Sequence, residues 1–425
     1  MSKIKVVVSC PVDTYSGYGA RARDFVQALL ALEKYDVRIL SQRWGNTRQG
    51  YLDDHKRDDL ASLIIPQLTY EPDIWIQITV PNEFQRVGKF NIGVTAGIET
   101  TLASPQWVMG CNVMDLVLTS SAHSKLVFEE SKYDMTDTAR GTREKIEVTK
   151  PIEILFEGAD TNKYRPLELP TRFNLKNDIP EAFCFLAVGH WLPGALGHDR
   201  KNIGLLVRLF LEAFKNKPNP PALILKVSMV TSSIMDRNKI LNNIEKIRNE
   251  VKGTLPNIYL LHGDLTDEEM NELYNNAKVK AMVSLTKGEG FGRPLLEFSL
   301  VNKPIIASAW SGHIDFLDKE LSILVGGELK PLHKSSIAEE VLVEGSSWFF
   351  PYDNHAIVAM KELYKNYDKY RVNAKKLGYK NRTNFSFDKM KEALDEILTN
   401  YVPVFPKQIE LMLPKLNLPK LEKID

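Results

Sequence analysis

The chain has 425 residues and a formal net charge of +1, with 44% apolar and 26% charged residues, 24 Gly and 22 Pro. At about 150 residues per domain, this length exceeds one core and points to two large domains or three small ones. The average composition excludes disordered, collagenous and coiled-coil chains, and the balanced charge means that any polyanion would have to meet a local patch.

From the N-terminus, the β-branched run 3–9 predicts a strand ending at Cys10-Pro11. A loop carrying Ser16-Gly17-Tyr18-Gly19 then leads to a predicted helix over 20–32, where Ala22, Phe25, Val26, Leu29 and Leu30 recur at helical spacing. Apolar runs predict strands at 36–40, 74–78, 91–94 and 116–119, with a helix over 121–130 behind Ser120-Ser121. Polar, Pro-rich sequence around 157–170 breaks the pattern, and a second series follows. Strands at 183–188, 223–227, 258–262, 281–284 and 304–307 alternate with helices over 203–215, 234–251, 267–276 and 294–301. Short buried strands alternating with helices predict doubly wound parallel sheets, whose ligands lie beyond the carboxyl ends of the strands. The expected division is 1–165, 166–400 with a last helix that can pack back on the first unit, and a Pro/Leu-rich tail at 401–425. In that tail Pro403, Pro406, Pro414 and Pro419 forbid a continuous helix.

Cys10, Cys111 and Cys184 stand far apart without a C-x-x-C spacing, which argues for buried thiols in a reducing compartment and against a zinc clasp. No stretch approaches the roughly 18 apolar residues of a membrane span, and Val6, Val7 and Val8 make too short a run for a secretory segment. The expected location is the cytoplasm.

The most informative stretch is Lys287-Gly288-Glu289-Gly290-Phe291-Gly292-Arg293-Pro294-Leu295-Leu296-Glu297. Its glycines let the backbone approach a ligand closely, and Pro294 suits the first turn of a helix. Amides at such a helix start attract an anion. Carboxylates beside an anion make electrostatic sense when they contact hydroxyls, as Glu289 at the loop and Glu297 on the helix would. His198-Asp199-Arg200-Lys201-Asn202 adds two cations at a predicted helix start, where they oppose the helix dipole unless an anion binds there. The alternatives are a Gly-rich turn with a capping glutamate, and a solvated basic dipeptide.

Glu289-Gly-Phe-Gly-x-Pro-x-x-Glu297, followed by Pro304-Ile305-Ile306-Ala307-Ser308, resembles the E-x7-E signature of retaining GT-B glycosyltransferases of family four. The resemblance implies an α/β GT-B fold, two facing Rossmann-like domains with a cleft between them, and transfer of a sugar from a nucleotide-diphosphate-sugar to a hydroxyl. It implies no metal and no cofactor. By the same resemblance Gly290, Phe291 and Gly292 contact the donor, Glu289 the sugar hydroxyls and Glu297 the ribose, while Arg200 and Lys201 clamp the diphosphate. His190 stands where many members carry an arginine. Leu261-His262-Gly263 resembles the segment that recognises the nucleobase, with His262 either a base contact or a packed loop residue. Gly17-Tyr18-Gly19 occupies the place of the family's N-terminal glycine loop, with Gly17 and Gly19 beside the donor; a plain tight turn is the alternative. Gly97-Ile98-Glu99-Thr100 resembles members with a Glu-Thr pair in the cleft, which makes Glu99 either a contact to the sugar or acceptor or a surface glutamate. His123 reads as structural, and Trp348 to Asp353 as packing.

The first half, notably Asn91 to Thr100, is similar to glycosyltransferases of large tailed bacteriophages, which implies a host-cytoplasmic enzyme and a hydroxymethylated pyrimidine in DNA as one expected acceptor. Arg43, Arg48, His55, Lys56, Arg57 and Arg86 would then meet phosphates; the competing reading is a solvated loop neutralised by Asp53, Asp54, Asp58 and Asp59. Surface glycans and small molecules are the other acceptors. A nucleotide-sugar epimerase of the same architecture is the rival activity.

Overall fold

The computed structural model describes residues 3–137, 142–168, 178–192, 194, 196–229, 233–338 and 341–406. The first half begins with β1 (Ile4–Cys10), α1 (Gly17–Ala31), β2 (Tyr35–Ser41), two short helices α2 (Tyr51–Asp54) and α3 (Asp58–Ala61), β3 (Ile74–Ile78) and β4 (Phe90–Val94). It continues through α4 (Pro105–Val113), β5 (Leu116–Thr119), α5 (Ala122–Glu130), the antiparallel pair β6 (Tyr133–Asp137) and β7 (Thr142–Ile146), and β8 (Ile152–Ile154). Six strands form a parallel sheet in the order β2-β1-β3-β4-β5-β8. Helices cover both faces, so Val6 and Val8 are buried on one side and Val7 on the other, and the strand reads as a continuous apolar run.

The second half contains β9 (Cys184–His190), α6 (Ile203–Phe214), β10 (Ala222–Ser228), α7 (Ile234–Glu250), β11 (Ile258–Leu260), α8 (Asp267–Asn275), β12 (Val279–Ser284), α9 (Arg293–Ser299), β13 (Ile305–Ser308) and β14 (Ile323–Val325). A hairpin of β15 (Gly327–Pro331) and β16 (Ser347–Pro351) follows, then α10 (Asp353–Lys365), α11 (Tyr367–Asn384) and α12 (Phe387–Tyr401). Its parallel sheet has the order β11-β10-β9-β12-β13-β14. The chain then crosses back: Met390, Leu394 and Leu398 of α12 are buried in the core of the first half.

The strand order reverses between β1 and β3 in the first sheet and between β9 and β12 in the second. Each reversal opens a crevice at the carboxyl ends, where doubly wound sheets bind ligands. Helix α1 starts at Gly17, three residues before the expected Ala20, because the Ser16 hydroxyl caps it by accepting from Gly19 N at 2.9 Å. Gly17-Tyr18-Gly19 is therefore the first turn of a helix, and the expected loop ends at Ser16. The sequence pattern also passed over β8, β14 and the two hairpins. Strand β15 exposes Glu328, Leu329, Lys330 and Pro331, and so carries no apolar signature. Residues 407–425 lie outside the described residues, and with them most of the expected tail. All three cysteines are free and buried. No helix among the described residues is long and apolar enough to cross a membrane.

Candidate active site

The loops after β9 and β12 meet at the second crevice. Gly292 stands in the left-handed conformation (φ 95°) just before α9, where a Cβ would lie 2.9 Å from that of His313. Pro294 fits the first turn of α9 because its missing N–H has no helical partner there. Glu289 is pinned through its backbone, its N–H donating to Ser311 Oγ and its carbonyl accepting from Gly312 N, both at 2.9 Å. Facing it, Asn202 adopts a left-handed conformation at the start of α6 and hangs Arg200 and Lys201 over the motif loop. Asn202 Nδ2 donates to Leu285 O at 3.1 Å, and Lys287 N to Arg200 O at 2.9 Å.

The glycines serve a junction that the sequence did not reveal. A Cβ on Gly288 would strike the carbonyl of Glu99, and one on Gly290 that of Ala96. Both acceptors belong to the loop after β4, so the two halves touch backbone to backbone here. Ser120 Oγ donates to Gly290 O at 3.2 Å, and Ala122 N to Asp315 Oδ2 at 2.9 Å. The expected approach to a ligand is, at these two positions, an approach to the other half.

Four charges then line up across the junction. Lys201 Nζ lies 2.6 and 2.7 Å from the two oxygens of Glu289, Arg200 Nη1 lies 3.3 Å from Oε2 of the same carboxylate, and Arg200 Nη2 lies 3.2 Å from Glu99 Oε1. Burial pushes the Glu289 carboxyl up, but the Lys201 ammonium and the Arg200 guanidinium outweigh it and hold it down at about 2. Glu99 is the open end of this chain, about a third exposed, and with Arg200 it lines a cavity of about 340 Å3. Two acids and two bases thus share one neutral cluster at the carboxyl ends of β4, β9 and β12.

Glu297 belongs to a second cluster. Arg293 Nε donates to Glu297 Oε1 at 2.8 Å, and its Nη1 reaches Asp24 of α1 at 2.5 Å and Glu157 at 3.9 Å. Burial pushes Glu297 up to about 7, against the pull of Arg293; Glu157 is likewise raised by burial, against Arg21 and Arg293. Arg293, inside the motif but given no role from sequence, thereby ties α9 to α1. Its position beside Pro294 in the first turn was the available signal.

Other residues take different places from those expected. The Phe291 ring is buried 5.1 Å from that of Phe316, which leaves only its backbone for a ligand. His262 Nδ1 and Nε2 lie 3.2 and 3.1 Å from the carbonyls of Val227 and Ser233, so its ring nitrogens are engaged by backbone. His190 Nδ1 lies 3.1 Å from Met229 O and from Ser228 Oγ, at the end of β9. A Cβ on Gly17 would meet nothing within 4 Å, whereas one on Gly19 would strike the Thr14 carbonyl. Tyr18 between them donates or accepts at Thr95 Oγ1 (3.0 Å), accepts from Ala96 N (3.1 Å) and stacks on Trp44 at 3.9 Å. The His123 ring packs edge-on against Trp310 at 4.5 Å, and burial pushes it down to about 4. Three members of the basic cluster of the first half are paired with aspartates: Arg48 with Asp54, Arg57 with Asp59 and Arg86 with Asp115, at 2.5, 2.7 and 2.7 Å. Among the described residues no group of three or more His, Cys, Asp or Glu is placed to hold a metal ion.

Two facing parallel sheets with a cleft at their carboxyl ends define the GT-B fold. Solved structures share it along nearly the whole chain. HepE of Anabaena in complex with UDP and glucose matches with a TM-score of 0.62 and 12% identity, over 93% of this chain and 100% of that one. Sucrose-phosphate synthase of Thermosynechococcus elongatus matches at 0.61 and 13%, over 94% and 99%, and a glycosyltransferase of Rickettsia africae at 0.59 and 15%, over 95% and 99%. At such identities the likeness is one of fold. No protein-family model and no curated protein matches the sequence.

Proposed function

We propose that the chain is a retaining glycosyltransferase that moves a sugar from a nucleotide-diphosphate-sugar to an acceptor hydroxyl. The observation that carries this reading is the Glu99–Arg200–Glu289–Lys201 cluster, assembled from both halves at the crevice where such sheets bind ligands. The fold is shared with HepE, which was solved with UDP and glucose, and the family resemblance assigns Glu289, Arg200 and Lys201 to the donor. Arg200 and Lys201 supply positive charge to the leaving diphosphate, and Glu289, held ionised, accepts from sugar hydroxyls. Glu297 has Oε1 engaged by Arg293 and offers its other oxygen to the ribose. In front-face transfer the bond from the anomeric carbon to the phosphate oxygen breaks as the acceptor oxygen bonds on the same face. The acceptor proton passes to the departing phosphate oxygen. The protein's part is then position and charge, supplied by its own cations, with no metal required.

For the acceptor we favour a small molecule or a glycan over DNA, because Arg48, Arg57 and Arg86 are committed to aspartates. A gel shift with hydroxymethylcytosine DNA at two salt concentrations tests this: salt-sensitive binding would restore the DNA reading. The activity itself is tested by nucleotide release from a panel of nucleotide-sugars, with and without acceptors. Glu289→Ala should lower turnover about 100-fold, the cost of one strong charge-assisted contact of ~3 kcal/mol, with the fold intact by circular dichroism. A new nucleotide-sugar formed without acceptor would instead establish an epimerase.

A further inference from the structure

The hairpin β15–β16 belongs to the second half and lies beside the cleft. Phe349 N donates to Lys287 O at 3.1 Å. Thr101 N donates to Ser347 O at 3.2 Å, and Ser347 N to Thr101 Oγ1 at 2.9 Å. The hairpin is thus tied to the motif loop and to the first half at once. Beneath it lies a cavity of about 520 Å3, a volume suited to a small ligand.

Its lining includes Lys287, Lys330, Lys334, His198 and His333, and among the described residues no carboxylate. Lys287 is fully buried: its ammonium donates to Gly197 O and lies 4.4 Å from the ring centroid of Phe350 and 5.1 Å from that of Trp348. Burial pushes it down to about 8, against the pull of Asp199, so an arriving anion would stabilise its charge. Lys330 is shared with Glu328 at 2.9 Å, while Lys334 is exposed. His198 and His333 stack at 4.1 Å. Trp348, 3% exposed, contributes an indole N–H with no acceptor among the described residues, an unmatched buried donor of the kind native structures rarely keep. His198, Ser336 and Trp348 also line the cavity that holds Glu99 and Arg200. The basic pocket therefore adjoins the cleft.

We propose that this pocket binds the phosphate of a small phosphorylated acceptor and presents its hydroxyl-bearing part to the cleft at Glu99 and Arg200. The acceptor role rests on the transferase reading above; the anion site stands on the pocket itself. The test is calorimetric titration of inorganic phosphate, and separately of UDP, into the full chain and into the double variant Lys330→Glu/Lys334→Glu. Both side chains are exposed, so the fold should survive. Phosphate affinity should fall at least tenfold in the variant, with UDP affinity unchanged. No saturable phosphate binding to the wild type, or equal binding to both proteins, overturns the pocket whatever UDP does. If UDP fails to bind while the variant still loses phosphate, the anion site stands and its role as an acceptor subsite falls. In turnover, the variant should raise KM for phosphorylated acceptors and leave the donor KM unchanged; an equal rise in both would overturn the acceptor assignment.

Discussion

Glu289 and Glu297 stand eight residues apart in one motif, both buried, yet their surroundings drive them in opposite directions. At the cleft, two carboxylates meet two cations, and Glu289 stays ionised, held at about 2. At the junction of α9 with α1, the carboxylates of Asp24, Glu157 and Glu297 gather round the Arg293 guanidinium, with Arg21 also beside Glu157 and Asp24, and burial lifts Glu297 to about 7. Burial alone does not set the charge of a buried acid; the number of cations within reach does. The first arrangement suits work on a ligand's charge, whereas the second suits holding two halves together.

The largest effect that would break this contrast is expected from Arg293→Met, which removes the one guanidinium paired with all three acids. Removing one partner from a buried ionic cluster costs about 3–5 kcal/mol, so a large fall in thermal midpoint is expected; an unchanged midpoint would mean that the cluster does not join the halves. A middle-sized effect is expected from pH. Because its folded-state pKa lies above the ordinary 4.5, Glu297 contributes stability that is complete below 4.5 and lost as pH rises through about 7. Glu289 does the reverse, its contribution present above 4.5 and lost only as pH falls toward 2. The wild type should therefore lose stability relative to Glu297→Gln between pH 5 and pH 8, by on the order of 1–3 kcal/mol in denaturant titrations. Parallel pH curves for the two proteins would place Glu297 in the same ionised state as Glu289. The smallest effect is expected from Glu99→Gln at the open end of the cleft cluster: about 0.2–1 kcal/mol of stability, as for an exposed ion pair, with a larger loss in turnover if Glu99 faces the substrate.

Much of the fold was legible because its strands are buried on both faces and read as apolar runs; β3 and β5 fall at the expected residues, and β1, β9 and β12 within two. What escaped was structure made without an apolar signal. The exposed strand β15 and the cap at Ser16 depend on partners that pattern alone does not locate. The sequence likewise singled out Glu289, Lys201 and Arg200, and the fold brings both cations within 3.3 Å of the Glu289 carboxylate. It did not announce that Gly288 and Gly290 abut the first half, or that Arg293 reaches Asp24, since those contacts join residues nearly 200 or more positions apart. Lys287 lies within the motif, but its aromatic cage comes from β16, about sixty residues later.

The central claim is that Lys201 and Arg200 serve a nucleotide-sugar diphosphate. Its most direct test is nucleoside diphosphate release by the wild type and by Lys201→Ala across a panel of nucleotide-sugars. The account predicts turnover of at least one donor by the wild type and a loss of about 100-fold in the variant at unchanged fold. Release from no donor, or undiminished release by Lys201→Ala, would contradict it.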